Sequence, residues 1–287
     1  MKILVVQLAR LGDIYQTWPT LRALRRRYPR AQIDLLVRSK FRGATRGLSE
    51  VDHVLHMNST QILEPIINNS DINLAVDKLN QWVKELTQLE YDQVINLSFS
   101  PLSSYLCRAI SGPDTQMRGY LRYSDGHLAI ADSTSAYFYA QVGPGKFNRI
   151  HLVDLFAGVA GVELCDSDWS PPKEFVDAQF ATQTLKKFDL LTNQYVVMHV
   201  GASQPSKAYG GFKWKQVLSG LRKQSLITVV LVGTSGEKPI AQQILQDSSI
   251  TRVIDLTGKT CIEELFPLVA NSCLAVGVDS VVMHIAS

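Results

Sequence analysis

The opening of the chain constrains its fold more than any other feature. Lys2–Gln7 (KILVVQ) is an apolar run without alternation, and a helix-patterned segment, Ile14–Tyr28, follows it. Such a run fits a parallel strand covered on both faces. Parallel strands also need a helical crossover between them. The pattern recurs: Ile33–Val37, Val51–Leu55 and Gln93–Leu97 read as further strands. Ile72–Leu89 reads as an amphipathic helix with Leu79, Trp82, Val83 and Leu86 on one stripe, Ser103–Ile110 as a short helix, and His151–Gly161 as a long apolar one. The polar stretch Cys165–Glu174, with Pro171 and Pro172, then interrupts the pattern as a linker does. Beyond it strands are expected at Tyr195–His199, Ile227–Val232, Val253–Leu256 and Leu274–Val276, and helices at Trp214–Lys223, Ala241–Gln246 and Ile262–Ala270. Two successive βα series predict an α/β fold of two Rossmann-like, doubly wound domains. The expected division is 1–164, a linker over 165–182, and 183–287.

The chain has 287 residues, 46% hydrophobic and 19% charged, enough to build a core in each of two domains and unlike a disordered chain. The net charge of +3 is too small to argue for a nucleic-acid partner. No apolar stretch reaches the roughly 18 residues of a membrane-spanning helix. The first apolar run lacks a small-residue cleavage site and meets Arg10 and Asp13 at once, so it reads as a buried strand and not a leader. A cytoplasmic protein with only peripheral membrane contact is the expectation. Cys107, Cys165, Cys261 and Cys273 are scattered, and read as free, mostly buried thiols. No metal-binding motif, no cofactor signature and no paired acidic motif of metal-using transferases is present; His53 and His56 read as flanking an edge strand.

Open parallel sheets bind ligands beyond the carboxyl ends of their strands, so the loops there carry the chemistry. In the first, Leu8–Asp13, Gly12 is read as permitting a tight turn and Asp13 as opening a helix. Asp13 is either an N-cap or a general base, and spacing alone favours the cap. In His199–Ser203, the small residues Gly201, Ala202 and Ser203 suit backbone N–H contacts to a phosphate or an ordinary turn, and His199 reads as packed. Gly233–Lys238 is glycine-rich but lacks a P-loop or a G-x-G-x-x-G pattern; Glu237 either takes a ribose hydroxyl or favours a helix N-terminus. Thr257-Gly258-Lys259 is another turn into a helix, and Asp279, Ser280 and His284 set a carboxylate, a hydroxyl and an imidazole after the last strand. Arg22, Arg25, Arg26, Arg27 and Arg30 read as a solvated helix face. Arg38, Lys40, Arg42 and Arg46 follow the second strand on the same edge as Asp13, a place that suits an anionic acceptor.

These loops, in this order, resemble the ADP-heptose–lipopolysaccharide heptosyltransferases, glycosyltransferase family 9. The likeness runs over nearly the whole chain. KILVVQLARLGDIYQTWPTLRALRRRYP looks like the family's opening strand, G-D turn and helix, and NRIHLVDLFAGVAGVE like the helix that closes its first domain. VVMHVGAS, FKWKQV, VLVGTSGEK, DLTGKTCIEEL and VGVDSVVMHIAS follow in the family's order. The resemblance implies a GT-B fold, with two Rossmann-like domains facing a cleft, and an inverting, metal-independent transfer without a cofactor. It makes Asp13 the base, with Gly12, Arg38, Lys40 and Arg42 on the acceptor side. It puts the donor on Gly201, Ala202, Ser203, Gly233, Glu237, Thr257, Gly258, Lys259, Asp279, Ser280 and His284, with Lys207 or Lys213 at the diphosphate. The implied partners are an ADP-heptose-type sugar nucleotide and a lipopolysaccharide inner-core acceptor, met at the inner face of the inner membrane, with no nucleic acid.

The sequence departs from the family in three places. Val281 stands where the family has glycine, and Phe212 and Lys215 replace the lysine and proline around Trp214. The chain stops after His284 where the family continues, so the second domain is expected to be incomplete. The alternatives are a transferase of the same fold with another nucleotide sugar or acceptor, a non-catalytic nucleotide-sugar-binding protein, and an epimerase on the same architecture.

Overall fold

In this computed structural model the opening run forms β1 (Lys2–Gln7), buried at every residue after Lys2. The structure describes residues 1–69, 71–143, 145–170, 177–202, 207–224, 227–246 and 252–286, with the side chains of 69 and 222–224 left aside. The chain divides into two units, Met1–Ser170 and Pro171–Ser287.

In the first unit β1 joins β2 (Gln32–Arg38), β3 (His53–Met57), β4 (Gln93–Asn96) and β5 (Gln116–Gly119) in one parallel sheet of order β3-β2-β1-β4-β5. The order reverses between β1 and β4, the place where open parallel sheets bind their ligands. The crossovers are α1 (Leu11–Arg27), α2 (Ser59–Asn69), α3 (Ile72–Thr87) and α4 (Pro101–Ile110), and α5 (Ser133–Gln141) and α6 (Leu152–Ala160) follow the last strand. A small antiparallel hairpin, β6 (Leu121–Arg122) with β7 (Leu128–Ala129), follows β5. Trp82, Val83 and Leu86 of α3 pack on the cluster of Leu4, Val6, Leu36 and Val94, as their shared stripe predicts. His53 and His56 lie within the edge strand β3.

The second unit repeats the plan. β8 (Tyr195–His199), β9 (Thr228–Val232), β10 (Val253–Asp255) and β11 (Leu274–Gly277) form a parallel sheet of order β10-β9-β8-β11, reversing between β8 and β11. Its helices are α7 (Ala178–Lys187), α8 (Gly211–Gln224), α9 (Lys238–Leu245), α10 (Ile262–Ala270) and α11 (Val281–Ala286). Alternate residues of β8 serve opposite faces. Tyr195 and Val197 pack with Leu265, Leu268 and Val282, while Val196 and Met198 pack with Trp214, Leu218 and Ile244. Burial on both faces is why these strands read as unbroken apolar runs.

Two expectations are corrected here. The arginine run is a solvated face only in part: Arg26, Arg27 and Arg30 are exposed, with Arg30 beyond the end of α1, but the guanidiniums on the helix have fixed partners. Arg22 bonds Glu50 and the carbonyls of Asp168 and Ser170, Arg25 pairs with Asp52 at 2.6 Å, Arg26 pairs with Asp168 at 2.7 Å, and Arg27 bonds the Gly161 carbonyl. These guanidiniums therefore tie α1 to loops far away in sequence, and the turn Asp166–Trp169 is built into the first unit. The thiols are free, but only Cys107 is buried; Cys165, Cys261 and Cys273 are exposed.

Candidate active site

At the reversal in the first unit, α1 begins directly beyond β1. Its N-cap is Arg10, in extended backbone, and Asp13 is the third helical residue. Asp13 is therefore not the N-cap. It is the acid of the first turn, whose Oδ2 accepts the Arg10 N–H at 2.9 Å, as the returning acid of a capping box does. That is the carboxylate's one hydrogen bond among the described residues, and the side chain is half-buried. Gly12 makes no special turn either: it is buried in the helix without a positive φ.

Beneath Asp13 lies a buried polar layer. Gln7 ends β1 and Ser98 follows β4, both almost fully buried. Ser98 donates to Gln7 Oε1 at 3.1 Å and accepts the Leu8 N–H. Asn96 accepts the Ser98 N–H at 3.0 Å and donates to the Tyr120 carbonyl at 2.6 Å. The loops of the two diverging strands are thus joined by side chains. Arg38 adds a further tie, its Nε donating to the Leu8 carbonyl at 2.5 Å and its guanidinium lying over Phe41. Lys40 is exposed, with its ammonium over the same ring. Arg42 is exposed too, and burial first and the Arg42 cation second hold His56 below its ordinary pKa.

In the second unit, the register pairs Gly277 with His199 and His199 with Val232, so the loops after β8, β9 and β11 leave one edge together. Gly201 is buried, and a Cβ there would stand 2.8 Å from Glu237 Cδ. Glu237 Oε2 accepts the Thr234 N–H at 2.6 Å and the Thr234 hydroxyl, which fixes the carboxylate under Gly201. Gly258 has φ +66° and donates its N–H to the Gly233 carbonyl at 2.8 Å. Thr257 is buried, giving its hydroxyl to Asp255 Oδ1 at 2.7 Å, and Lys259 caps the Asp255 carbonyl at 2.6 Å. Of the two candidate lysines, Lys207 forms an ion pair with Asp279, whereas Lys213 lies over the Tyr209 ring. Ala202 is half-buried; Ser203 lies outside the described residues. His284 sits in α11, half-buried. Val281, at the start of that helix, packs into the cluster with Leu265 and Val282.

Three polar atoms of this unit are buried without a partner among the described residues: His199 Nδ1, Trp214 Nε1 and Ser280 Oγ. Buried polar groups are nearly always paired, so these three stand out from the rest of the unit. His199 goes beyond the packed-residue reading. Burial holds its pKa below the ordinary 6.5, against the opposing pull of Glu237 and a backbone bond to Gly201. A polar residue closing an otherwise apolar central strand was the sequence signal for it. The candidate residues therefore form two sets, one at the carboxyl edge of each sheet, in different units of the chain.

Two Rossmann-like parallel units in one chain, each with polar loops gathered where its strand order reverses, define the GT-B class of glycosyltransferases. Residues 80–287 match glycosyltransferase family 9 (heptosyltransferase), and the chain belongs to that family. It is 24% identical to lipopolysaccharide heptosyltransferase 3 of Escherichia coli K12 over 294 residues, spanning 96% of this chain and 76% of that protein. Among solved structures it is similar to E. coli ADP-heptose lipopolysaccharide heptosyltransferase II, with TM-score 0.69, 19% identity, and coverage of 100% of this chain and 81% of that one. E. coli heptosyltransferase WaaC with ADP-2-deoxy-2-fluoro heptose gives TM-score 0.65, 18% identity, and coverage of 100% and 85%. The activity of the chain is glycosyl transfer. Among the described residues no helix is long and apolar enough to cross a membrane.

Proposed function

We propose that this chain transfers a heptose from an ADP-heptose-type sugar nucleotide to a lipopolysaccharide inner-core acceptor, in a single inverting displacement without a metal. Asp13 takes the proton of the acceptor hydroxyl, whose oxygen attacks the anomeric carbon from the face opposite the departing ADP. The carrying observation is the Asp13 carboxylate, half-buried in the first helical turn beyond β1, with one oxygen anchored and the other left for a substrate. A general base needs that fixed reach to its proton.

The reading gives the first unit, with residues 1–164, to the acceptor and the second, with residues 183–287, to the donor. Gly201, Ala202 and Ser203 offer backbone N–H groups to the diphosphate, with Lys207 as the cation in place of a metal ion. Gly233, Glu237, Thr257, Gly258 and Lys259 shape the nucleoside end, and Asp279, Ser280 and His284 meet the donor where its diphosphate joins the sugar. Gly12, Arg38, Lys40 and Arg42 serve the acceptor side, where exposed cations suit an anionic glycolipid. Because that acceptor is lipid-anchored, the enzyme works at the cytoplasmic face of the inner membrane. The E. coli relatives named above support the donor and acceptor classes.

The test is to incubate the protein with ADP-heptose and heptose-deficient lipopolysaccharide and to weigh the product. A gain of one heptose, with inverted anomeric configuration by NMR and the same rate in EDTA, is expected. Asp13→Ala abolishes the gain and leaves ADP affinity intact. A mass gain only with a different sugar nucleotide replaces the donor; wild-type turnover by Asp13→Ala removes the base.

A further inference from the structure

We infer that Gln7, acting through Thr17, is a positioning residue for Asp13, an inference that rests on the proposed role of Asp13 as the base. Gln7 is the one polar residue of β1 beyond Lys2, and it is fully buried. Its side-chain amide has a fixed orientation. The Ala9 N–H can only donate, and it meets one Gln7 atom at 3.2 Å, so that atom is the oxygen. The nitrogen then faces Thr17 Oγ1 at 3.1 Å and donates to it. Having received that N–H, the Thr17 hydroxyl gives its own proton to the Asp13 carbonyl at 2.8 Å. Ser98 enters from the other side, donating to Gln7 Oε1 at 3.1 Å.

The bonds form a directed chain, from the loop after β4 through the end of β1 to the main chain of Asp13 itself. A helical threonine bonded to the carbonyl four residues back is common and by itself implies little. Here the Gln7 N–H sets the direction of that hydroxyl and ties the first turn of α1 to the central strand. Gln7 and Thr17 are both fully buried, so water does not compete for these bonds. The carboxylate is held by Arg10, its backbone by Thr17, and the preceding loop by Arg38 at the Leu8 carbonyl. Displacing a reacting group by an ångström lowers the rate on the order of 100-fold, so this seating is where a base is made effective.

Thr17→Val keeps the shape of the side chain and deletes both hydrogen bonds, while Gln7→Leu deletes the donor. In the full-length protein, with ADP-heptose and heptose-deficient lipopolysaccharide, each variant should lower kcat about ten-fold or more. ADP affinity by calorimetry should stay within about two-fold, and Thr17→Ser should restore kcat to within about two-fold. A folded Thr17→Val or Gln7→Leu with wild-type kcat and only a lowered Tm overturns the inference, as does an equal loss in Thr17→Ser. If Thr17→Val does not fold, Gln7→Leu decides by the same criteria. Asp13→Ala is measured alongside. Wild-type turnover in it removes the base and the proposed mechanism with it; a dead Asp13→Ala beside a fully active Thr17→Val removes only the positioning role.

Discussion

Where the first sheet reverses, each buried polar side chain of the layer under Asp13 has a partner: Gln7, Thr17, Asn96 and Ser98 bond one another and the neighbouring backbone. Where the second sheet reverses, His199 Nδ1 and Ser280 Oγ have none among the described residues. The strand orders are equivalent, so topology does not cause the difference. A closed network rigidifies whatever it carries, which suits a group that must be held in place. Unpaired buried atoms cost free energy until something supplies their partners, which suits a seat for a ligand. On the proposed reading, the same architecture is used once as a mount and once as a receptacle.

The comparison can be broken or sharpened by substitution. The largest effect is expected for Gly258→Ala. The new Cβ sits on a backbone with φ +66° and 2.9 Å from Ser235 Cα, against main chain that cannot swing aside. A strained left-handed residue costs about 1–3 kcal/mol, read as a lower melting temperature together with weaker ADP binding. Ser98→Ala comes next. It strips a partner from the Leu8 N–H and from Gln7 Oε1, and should cost about 1–2 kcal/mol in urea unfolding while ADP affinity holds.

Ser280→Ala should do the reverse. Its hydroxyl has nothing to lose in the free protein, so stability should move by less than about 0.5 kcal/mol. ADP affinity by calorimetry should fall about three- to ten-fold, one hydrogen bond's worth. Equal destabilisation by Ser98→Ala and Ser280→Ala, with ADP binding untouched by both, would erase the distinction between the sites.

The smallest effect is one of pH. Burial holds His199 below its ordinary 6.5, so the folded protein favours the neutral ring while the unfolded chain takes up the proton first. Its contribution to stability is complete above about 6.5 and is lost as pH falls through the lowered folded value. Melting temperatures between pH 7 and 5 should therefore decline in the wild type and decline less in His199→Gln. His56 is held low as well and falls in the same window, which leaves part of the decline in His199→Gln; Asp52, Asp168 and Glu264 are also held low, but their losses fall below the ordinary carboxylate values of 3.8 and 4.5, outside it.

The fold was legible where burial on both faces wrote unbroken apolar runs. β1, β8 and α10 were read residue for residue, and the α/β class with parallel sheets follows from them. The elements that escaped include α2, which carries Pro65 inside it, and α7, whose start falls in the stretch read as a linker; the others are short or weakly patterned. β5 is QMRG on a sheet edge, β6 and β7 have two residues each, and α5 (STSAYFYAQ) shows little amphipathic contrast. At the candidate site the loops were legible because glycine and carboxylate stand after strands. The bonds between them were not. Ser98 lies 91 positions from Gln7, and a lone glutamine closing an apolar run does not announce its partner. The arginines of α1 misled for the same reason: their partners are carbonyls and carboxylates of distant loops, and a backbone oxygen leaves no mark in a sequence.

Those arginines give α1 a mechanical character. Its 17 residues span about 25 Å, with Asp13 in its first turn and, toward the other end, Arg22, Arg26 and Arg27 gripping the Ser170, Glu163 and Gly161 carbonyls. The helix is a tie-rod. One helix thus joins the turn that carries the carboxylate to the stretch that closes the first unit.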